Sequence, residues 1–526
     1  MSDSSIFHRF IHELQRSIAS MPDNWILSYD VGTSGTKAVV TDLKQIISSA
    51  YRPYDVNYPR PGWAEQDPRI WWRAIKETTQ EIIKKVEPNL ISGISFSSQM
   101  GNVIFVDKNG NPLRNCISWL DSRAKPQADW KLRTYGNNAI YSTSGIVVSE
   151  KEPNAKVLWV KENETSIFEK AYKIIDCKDY IEYRMTGKFV TDYSVASWLS
   201  FFDIKKRKWS EELCEMLGVP IDKFPEAHSS IEIVGELTSD ASNDLGLKRG
   251  TPIIAGAGDG AMSSVGAGAT KDGAGHICIG TAGWLSIISS KLTIDPKARF
   301  IYICSADPDK WNVVGETDAA GESYKWFKER FCEIEEMKAR ETGNSAYKIM
   351  DEEAQAVEEG SSNLIFLPYL TGERAPITNP RARAVFLGLS SAHTRSHLIR
   401  AVMEGVAFNI RWIIDSVEEI GYPVGSLRGV GGGVKSRVWG QIFADVLDRA
   451  IVPTRWSLNE CAMGAAIVAA VGLGILKDLE QAEDIVPVSN AFYPDPTKRS
   501  KYDALFPIFK DAYANLTSTF DKLREV

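Results

Sequence analysis

The sequence lacks the cysteine patterns that are typical of metal-binding proteins. Its seven cysteines include no C-x-x-C pair, and no histidine completes a zinc pattern with them. Scattered cysteines of this kind are typical of small buried side chains in a reducing compartment. We therefore expect no zinc site at Cys116, Cys177, Cys214, Cys278, Cys304, Cys332 or Cys461.

Long apolar runs are also missing. No segment reaches the roughly 18 uninterrupted apolar residues of a membrane span, and residues 1–24 lack the apolar core of a secretory signal. We therefore expect a cytoplasmic protein without a membrane partner. Residues 1–24 are predicted to be an N-terminal extension, and a transit peptide is the alternative. One face of a short amphipathic helix could be formed there by Phe7, Phe10, Ile11, Leu14 and Ile18.

An excess of positive charge is absent as well. The formal net charge is −7, which gives no electrostatic footprint for DNA, RNA or an anionic membrane. The pattern G-x-x-x-x-G-K-[ST] occurs nowhere, which excludes a Walker loop. With 526 residues the chain is too long for one hydrophobic core, so we expect about two large domains.

The sequence does have a carboxylate in the middle of a glycine-rich stretch. Residues 254–268 run from an apolar strand into small residues, and Asp259 is the one acidic residue among them. Because glycine lets the backbone approach a ligand closely, Asp259 is predicted to be the chemical centre of a crowded site. The alternative is that Asp259 only caps a helix that begins at Gly260.

A second glycine-rich turn lies near the start of the chain. Trp25–Tyr29 and Ala38–Thr41 are predicted as the strands of a hairpin. The turn between them can offer backbone N–H groups and hydroxyls to phosphate oxygens, and Asp30 at the strand end can hold a hydrated Mg²⁺ ion. A plain glycine-rich turn is the alternative.

The same pattern occurs again later in the chain. Cys278–Ile288 repeats the x-Gly-Thr-x-Gly core followed by an apolar strand. A duplicated strand–turn–strand unit predicts two similar domains that face one another. Asp30 of the first copy corresponds to Cys278 of the second, so only the first turn is expected to carry a metal. Between the copies, strands and helices alternate as in a mixed α/β fold.

Other polar groups follow predicted strands. Ile91–Ser97 is a candidate for a buried strand, and Gln99 and Asn102 follow it, where ligands bind in open α/β sheets. Both are candidate hydroxyl-binding groups, and capping of the local turn is the alternative. Glu373 and Arg374 lie in a loop after another strand, where a structural ion pair is expected.

Three further stretches are informative: one predicts a nucleotide site, and two predict helices that pack in the protein interior. After the strand at residues 428–430, three successive glycines (431–433) would let a flat nucleotide base lie against the backbone. Residues 461–470 predict a small-residue helix suited to close packing. The helix that follows Asp67 and Pro68 is expected to bury Trp71 and Trp72 in the core.

Together these motifs resemble the FGGY family of carbohydrate kinases, from about Trp25 to the C-terminus. Residues 384–389 and 397–404 are similar to the family's C-terminal signature at its full spacing, and residues 153–163 are similar to its other signature. Lys151 stands where that second signature usually has a small or aromatic residue.

Within the family, the chain is most similar to the xylulokinases, at residues 63–68, 119–123 and 367–374. Two positions depart from that branch. Gly101 follows the Gln-Met pair where a histidine is typical, and Gly260 follows the central aspartate where an asparagine is common. Both departures lie at the expected sugar site, so the identity of the sugar stays open.

The resemblance implies an α/β fold class, with two ribonuclease-H-like domains of the actin/hexokinase type flanking an active-site cleft. The sugar-binding domain would be residues 25–270 and the nucleotide-binding domain residues 271–526. Asp259 would be the base that faces the substrate hydroxyl, and Asp30 would serve Mg²⁺–ATP. The other implied roles are phosphate contacts at Thr33, Ser34, Gly280 and Thr281, adenosine contacts at Gly431, Gly432, Gly433 and Ser436, and a sugar pocket at Gln99, Met100 and Gly101.

The implied reaction is the ATP-dependent phosphorylation of a sugar hydroxyl, with D-xylulose to D-xylulose 5-phosphate as the first choice. The alternatives with the same chemistry are another ketose, a polyol, an aldonate such as gluconate, and a linear signalling dihydroxy-ketone. A nucleotide-switched regulator without sugar turnover is the third interpretation, and the retention of both Asp30 and Asp259 argues against it. A homodimer is kept open as the assembly.

Overall fold

Two β-sheets of the same plan organise the residues that the computed structural model describes, 24–456 and 459–523. The strands of the first sheet are β1 Trp25–Val31, β2 Gly35–Thr41, β3 Ile46–Pro53, β4 Ile91–Ser98, β5 Ile233–Glu236, β6 Pro252–Ile254 and β7 Ala257–Gly258. The strands of the second sheet are β8 Gly275–Ile279, β9 Gly283–Ser289, β10 Ile301–Cys304, β11 Trp311–Thr317, β12 Leu427–Val430 and β13 Ile451–Pro453.

The two sheets share their central strand order and directions. In the first, β3, β2 and β1 are antiparallel neighbours, and β4 and β6 follow in parallel. In the second, β11, β9 and β8 are antiparallel neighbours, and β12 and β13 follow in parallel. The duplicated unit that the repeated glycine turns predict is therefore present, and each turn joins the first two strands of its sheet.

Apolar runs account for the central strands. β1 buries Ile26 to Tyr29, and β8 is buried along its whole length, as expected of strands that are covered on both faces. The predicted first hairpin is confirmed, but its turn is shorter than expected. Asp30 still belongs to β1, where it lies opposite Lys37 of β2.

Helices cover both sheets. In the first part of the chain they are α1 Pro68–Ile82, α2 Lys125–Ser144, α3 Pro153–Asn163, α4 Thr165–Lys170, α5 Cys177–Thr186, α6 Tyr193–Trp198, α7 Glu211–Leu217, α8 Ser239–Leu245 and α9 Asp259–Ala267. After β8 they are α10 Gly321–Phe331, α11 Glu333–Thr342, α12 Ala346–Gln355, α13 Arg395–Glu419, α14 Arg437–Leu447, α15 Glu460–Gly472, α16 Ala482–Ile485 and α17 Pro496–Leu523. Asp67 caps α1, which buries Trp71 and Trp72 as predicted.

Short strand pairs lie outside the two sheets, in the connections between helices. They are Glu65–Gln66 with Cys116–Ile117, Ile104–Val106 with Lys173–Ile175, Val190–Asp192 with Glu226–His228, Phe202–Asp203 with Lys208–Trp209, and Ile365–Leu367 with Val385–Leu387.

One helix from the second half of the chain covers the first sheet. α15 packs against α9 and lies on β1 and β4. The two helices approach closely because both have glycine at the contact: a Cβ atom on Gly464 would lie 3.0 Å from the Gly266 nitrogen. The close packing predicted for residues 461–470 is therefore confirmed. The domain division after residue 270 stays a prediction, and beyond it the chain returns to the first sheet through α15.

Two expectations concern the membrane and the start of the chain. Within the two described ranges, no helix combines the length and the apolar character needed to cross a bilayer. The amphipathic helix predicted in the extension of residues 1–24 lies outside the described residues, of which Asn24 is the first.

Candidate functional site

The carboxyl ends of the central strands bring the predicted site residues together. Because β1 and β4 run parallel, the turn at residues 32–34 and the loop at residues 99–102 lie at one edge of the first sheet. β7 pairs with the last two residues of β4, which sets Asp259 beside that loop. In the second sheet, the turn at residues 280–282 and the glycines at 431–433 follow β8 and β12, which are parallel neighbours.

Asp259 is the first residue of α9. Gly258 holds the N-cap position, and Asp259 Oδ1 accepts the N–H of Gly260 at 2.8 Å. Asp259 is therefore not the helix cap that the alternative interpretation proposed. Asp259 is exposed to solvent although protein atoms surround its side chain.

The surroundings of Asp259 disfavour its charged form. Burial by the surrounding protein raises the pKa of Asp259 to about 7, and the charges of Asp30, Asp176 and Glu316 add to this effect. The hydrogen bond from the Gly260 N–H acts in the opposite direction. A carboxylate with a pKa near neutrality is suited to taking a proton from an alcohol.

Asp30 lies beneath the first turn. It is in register with Ser97 of β4 and Lys37 of β2, and burial raises the pKa of Asp30 while the charge of Lys37 lowers it. In the turn itself, Ser34 is exposed, and Thr33 Oγ1 accepts a hydrogen bond from the indole N–H of Trp119 at 2.9 Å. The turn thus combines a half-buried carboxylate with one half-buried and one exposed hydroxyl group.

The donor set at Asp30 fits one mode of magnesium binding. In the described part of the chain, no group of three or more Asp, Glu, His and Cys side chains could hold a metal ion. Mg²⁺ is commonly bound by one or two carboxylates together with substrate phosphates and water. A single carboxylate beside a turn of N–H groups and hydroxyls agrees with that mode, and the metal role of Asp30 stays a prediction.

The second turn is held by the start of α10. The Gly280 and Thr281 carbonyl oxygens accept the N–H groups of Gly321 and Glu322, at 2.8 and 3.0 Å. Thr281 is exposed. Hydrogen bonds behind the turn therefore fix its shape, while the Thr281 side chain remains accessible.

The glycines after β12 leave bare backbone beside the second turn. Gly431 has a φ of 88°, and a Cβ atom there would lie 2.7 Å from the Ile279 carbonyl oxygen. Nothing lies within 4 Å of a Cβ atom on Gly432. Ser436 caps α14 by accepting the Trp439 N–H at 3.0 Å. The open surface suits a flat ring, and the adenosine contacts stay a prediction.

Two buried charged residues, which the sequence analysis did not single out, hold the loop at residues 99–102. Asp176 accepts the N–H of Gly101 at 2.9 Å. Lys156 donates to the carbonyl oxygens of Gly101 and Ser118, at 3.2 and 2.7 Å. Burial raises the pKa of Asp176 to about 6 and lowers the pKa of Lys156 to about 7.

Sequence signals for these two residues exist. Asp176 follows the apolar strand Lys173–Ile175 and starts α5 with a capping box that Asp179 completes. Lys156 lies within the stretch 153–163 that resembles a family signature. Neither signal indicates that both side chains meet at Gly101, because that contact depends on the folded arrangement.

The predicted hydroxyl-binding role of Asn102 is wrong. Its side chain is fully buried, and Nδ2 donates to Asp176 Oδ1 at 2.9 Å and to the Gln99 carbonyl oxygen at 3.2 Å. Asn102 Oδ1 accepts the Trp119 N–H at 3.3 Å. Gln99 is 2% exposed and donates to Gln66 Oε1 at 3.0 Å, so its place in the sugar pocket stays a prediction.

The two motifs at residues 63–68 and 119–123 lie next to the turn at residues 32–34 and the loop at residues 99–102. Arg123 Nη2 donates to Glu65 Oε1 at 2.8 Å, and the guanidinium lies 3.7 Å from the centroid of the Trp63 ring. Gln66 Nε2 donates to the Thr33 carbonyl oxygen at 2.9 Å. Through Gln66, the motifs therefore connect the loop at residues 99–102 to the predicted phosphate turn at residues 32–34.

The ion pair predicted between Glu373 and Arg374 is wrong. The Arg374 side chain binds Glu316 and Asp318 instead, the latter at 2.8 Å. Glu373 is buried and accepts a hydrogen bond from Thr317 Oγ1 at 2.7 Å, and burial raises the pKa of Glu373 to about 8. Glu373 and Arg374 therefore bind different residues at the end of β11: Glu373 binds Thr317, and Arg374 binds Glu316 and Asp318.

Known proteins resemble this chain in both of its halves. The chain matches the N-terminal domain of the FGGY family of carbohydrate kinases over residues 25–266 and the C-terminal domain of that family over residues 275–473. The xylulose kinase of Bacillus subtilis is 31% identical over 495 residues, which cover 93% of this chain and 97% of the relative. The gluconokinase of Bacillus subtilis is 31% identical over 489 residues, which cover 92% and 95%.

A solved structure shows the same fold. The ligand-bound xylulose kinase from Lactobacillus acidophilus is 29% identical and has a TM-score of 0.88, covering 95% of this chain and 100% of that one. The predicted α/β fold with two actin/hexokinase-type domains is confirmed, as is the predicted sugar kinase activity. The chain belongs to the FGGY family of carbohydrate kinases.

Proposed function

We propose that this sugar kinase transfers a phosphoryl group from ATP to a hydroxyl of a neutral ketopentose, D-xylulose, to give D-xylulose 5-phosphate. The observation that carries the choice of a neutral acceptor is the charge around the base: Asp176 and Glu316, neither of which the proposal assigns to the metal, raise the pKa of Asp259 in addition to burial. A carboxylate on the acceptor would meet the same repulsion. The similarity to a protein named xylulose kinase supports the same choice.

In this proposal Asp259 is the base. An alcohol is a poor nucleophile at neutral pH, so a carboxylate within hydrogen-bond reach orients the hydroxyl and takes its proton as the bond to phosphorus forms. Such a base contributes on the order of 10²–10⁴ in rate. With a pKa of about 7, a large fraction of Asp259 is unprotonated at neutral pH.

The remaining predicted residues would hold Mg²⁺–ATP. ATP supplies the phosphoryl group, and Mg²⁺ offsets the negative charge of the phosphates. Asp30 would hold the ion, and the turns at residues 32–34 and 280–282 would donate N–H and hydroxyl groups to phosphate oxygens. The glycines at 431–433, together with Ser436, would face the adenosine. Closure of the two domains would exclude water from the cleft.

A second candidate acceptor is an aldonate such as gluconate, and Lys151 favours it. Lys156 binds the Gly101 carbonyl oxygen, and burial lowers the pKa of Lys156. The positive charge of the exposed Lys151 lowers that pKa further, which places Lys151 within electrostatic range of the loop at residues 99–102. A cation near the acceptor loop could pair with an acidic sugar. The similarity to a gluconokinase equals that to the xylulose kinase.

The test is ADP release from Mg²⁺–ATP across D- and L-ketopentoses, ketohexoses, polyols, gluconate and a linear dihydroxy-ketone. We expect D-xylulose to give the highest kcat/KM. Asp259→Asn should lose on the order of 10²–10⁴ in kcat because the base is removed. The exposed Asp309→Asn is the matched control and should retain the wild-type rate.

Lys151→Ala separates the two candidates. If D-xylulose is the acceptor, this variant should keep its D-xylulose turnover. If gluconate gives the highest kcat/KM and Lys151→Ala loses that turnover, the aldonate replaces the ketopentose. If no acceptor raises ADP release above background, the proposed function is wrong and the nucleotide-switched regulator becomes the working hypothesis.

A further inference from the structure

Gly101 and Trp198 share one space on the acceptor side of the cleft. Trp198 is the last residue of α6 and is partly exposed among buried neighbours. A Cβ atom on Gly101 would lie 2.5 Å from Trp198 Nε1, 2.9 Å from its Cδ1 and 3.3 Å from the Trp119 Cβ atom. Any side chain at position 101 would therefore collide with the Trp198 indole.

Hydrogen bonds fix the helix that carries this indole. Ser194 Oγ accepts the N–H of Gly258, the residue directly before the proposed base, at 2.9 Å. Ser197 Oγ accepts the N–H of Cys304 at 3.2 Å. The position of Trp198 relative to the base is thus set by short side-chain contacts to both sheets.

Apolar side chains lie between Trp198 and the residues next to Asp259, the proposed base. Met100, Ile146 and Ile303 form a buried cluster against which Trp198 packs. The Met100 sulfur would lie 3.9 Å from a Cβ atom on Gly260, the residue after the base. Within residues 24–456 and 459–523, the Trp198 Nε1–H donates no hydrogen bond to another side chain or carbonyl. This N–H is therefore a free donor above Gly101.

We propose that Trp198 determines the acceptor specificity of this kinase, an inference that rests on the proposed function. Its ring closes the pocket at Gly101 and limits the length of the acceptor, while its N–H donates to a hydroxyl or carbonyl oxygen of that acceptor. An apolar wall with one neutral donor suits a short, uncharged polyhydroxylated compound. The space that a side chain at Gly101 would fill is occupied by the Trp198 indole.

Three substitutions at this position test the inference on the acceptor panel. Trp198→Phe keeps the ring but removes the donor, so KM for the preferred acceptor should rise about five- to tenfold, the worth of one typical hydrogen bond, with KM for ATP unchanged. Trp198→Ala opens the pocket, so the ratio of kcat/KM for ketohexoses over ketopentoses should rise about tenfold or more. Trp130→Ala, an exposed tryptophan on α2, is the matched control and should leave both ratios at the wild-type values.

A double-mutant cycle tests the shared space. Gly101→Ala alone should lower kcat/KM, because the new methyl group collides with the indole and the backbone has a φ of 82°. In Gly101→Ala with Trp198→Ala the collision is absent, so the combined loss should be smaller than the product of the two single losses.

The outcomes separate this inference from the proposed function. If the wild type releases no ADP with any acceptor, the proposed function is wrong and the role of Trp198 falls with it. If the wild type is active but the Trp198 variants keep the wild-type acceptor ratios, the inference alone is wrong. Losses that multiply in the double-mutant cycle would also contradict it.

Discussion

At the scale of single residues, burial and three nearby carboxylates together set the pKa of Asp259. Burial is the largest cause of the raised pKa, and the charges of Asp30, Asp176 and Glu316 increase it. A higher pKa makes the carboxylate a stronger base but leaves more of it protonated at neutral pH. In the proposed function, the same neighbours therefore influence both the basicity of Asp259 and the charge of the acceptor that fits beside it.

A pH profile tests this description of Asp259. We expect kcat/KM for the acceptor to rise with pH through about 7, because only the unprotonated carboxylate can accept the proton. Well below that pKa, the rate should fall about tenfold for each unit of pH. Glu316→Gln removes one of the charges that raise the pKa, so its acid limb should lie at lower pH than that of the wild type.

Asp309→Asn should give a profile that superposes on that of the wild type, because this exposed residue lies outside the charges that act on Asp259. An acid limb that stays in place in Glu316→Gln would contradict an electrostatic contribution from Glu316.

At the scale of structural elements, the loop at residues 99–102 takes its shape from distant segments. Lys156 comes from α3 and binds the carbonyl oxygen of Gly101, while Asp176 at the start of α5 binds its N–H. Lys156 also binds the carbonyl oxygen of Ser118, which precedes Trp119. The buried Lys156 side chain therefore holds the loop at residues 99–102 and also binds the segment before Trp119, where the Asp121 N–H is a second donor to the Ser118 carbonyl oxygen.

Lys156→Met tests this support. The substitution leaves the buried Gly101 carbonyl oxygen without a donor, whereas the Ser118 carbonyl oxygen keeps the Asp121 N–H at 3.0 Å. An unpaired buried carbonyl costs about 1–3 kcal/mol, so the loop should loosen and kcat/KM for the acceptor should fall about 10- to 100-fold. KM for ATP should change little, because the Asp121 N–H still holds Ser118, the residue before the Trp119 that contacts the predicted phosphate turn. Steady-state kinetics with each substrate varied in turn measure this difference.

Lys161→Met is the control on the same helix, since Lys161 donates to the Gly218 carbonyl oxygen and not to the loop. It should retain both KM values. Equal changes in the two KM values of Lys156→Met, together with a lowered Tm, would indicate general destabilisation and would oppose a role in positioning the loop.

Elements and site residues differ in how far the sequence predicts them. The hairpins and the strand before Asp259 follow from apolar runs that end in glycines, which are local signals. Asp30 and Asp259 were singled out because each lies near the end of such a strand, and their roles stay predictions. The partners of Asn102 and Glu373 and the place of Trp198 were not, because their contacts join segments far apart in sequence.

At the scale of the whole molecule, the predicted site residues are divided between the two sheets. The first carries Asp259, Asp30 and the acceptor loop, and the second carries the turn at residues 280–282 and the glycines at 431–433. In the proposed function a complete site therefore needs both sheets, and its one base, Asp259, lies on the first. In the second copy, Cys278 takes the place of Asp30.

This division predicts weak ATP hydrolysis without an acceptor. Because water is excluded only when both sides of the cleft are together, ADP release without sugar should be more than about tenfold slower than with D-xylulose. A coupled assay of ADP with and without the acceptor measures the ratio. Asp259→Asn should lower the stimulated rate more than the basal one, and comparable rates with and without every sugar in the panel would contradict this prediction.

Helix α15 imposes an order of assembly on the nascent chain. It is synthesised after the strands of both sheets, yet it packs against Ile26, Val39 and Ile254 of the first sheet. That apolar face stays uncovered while the ribosome makes most of the second half, a period in which exposed hydrophobic surface favours aggregation and chaperone binding. A fragment that ends at residue 270 cannot complete its own core, so the two halves are not interchangeable modules. Recombination between relatives would have to transfer residues 460–472 together with the first sheet.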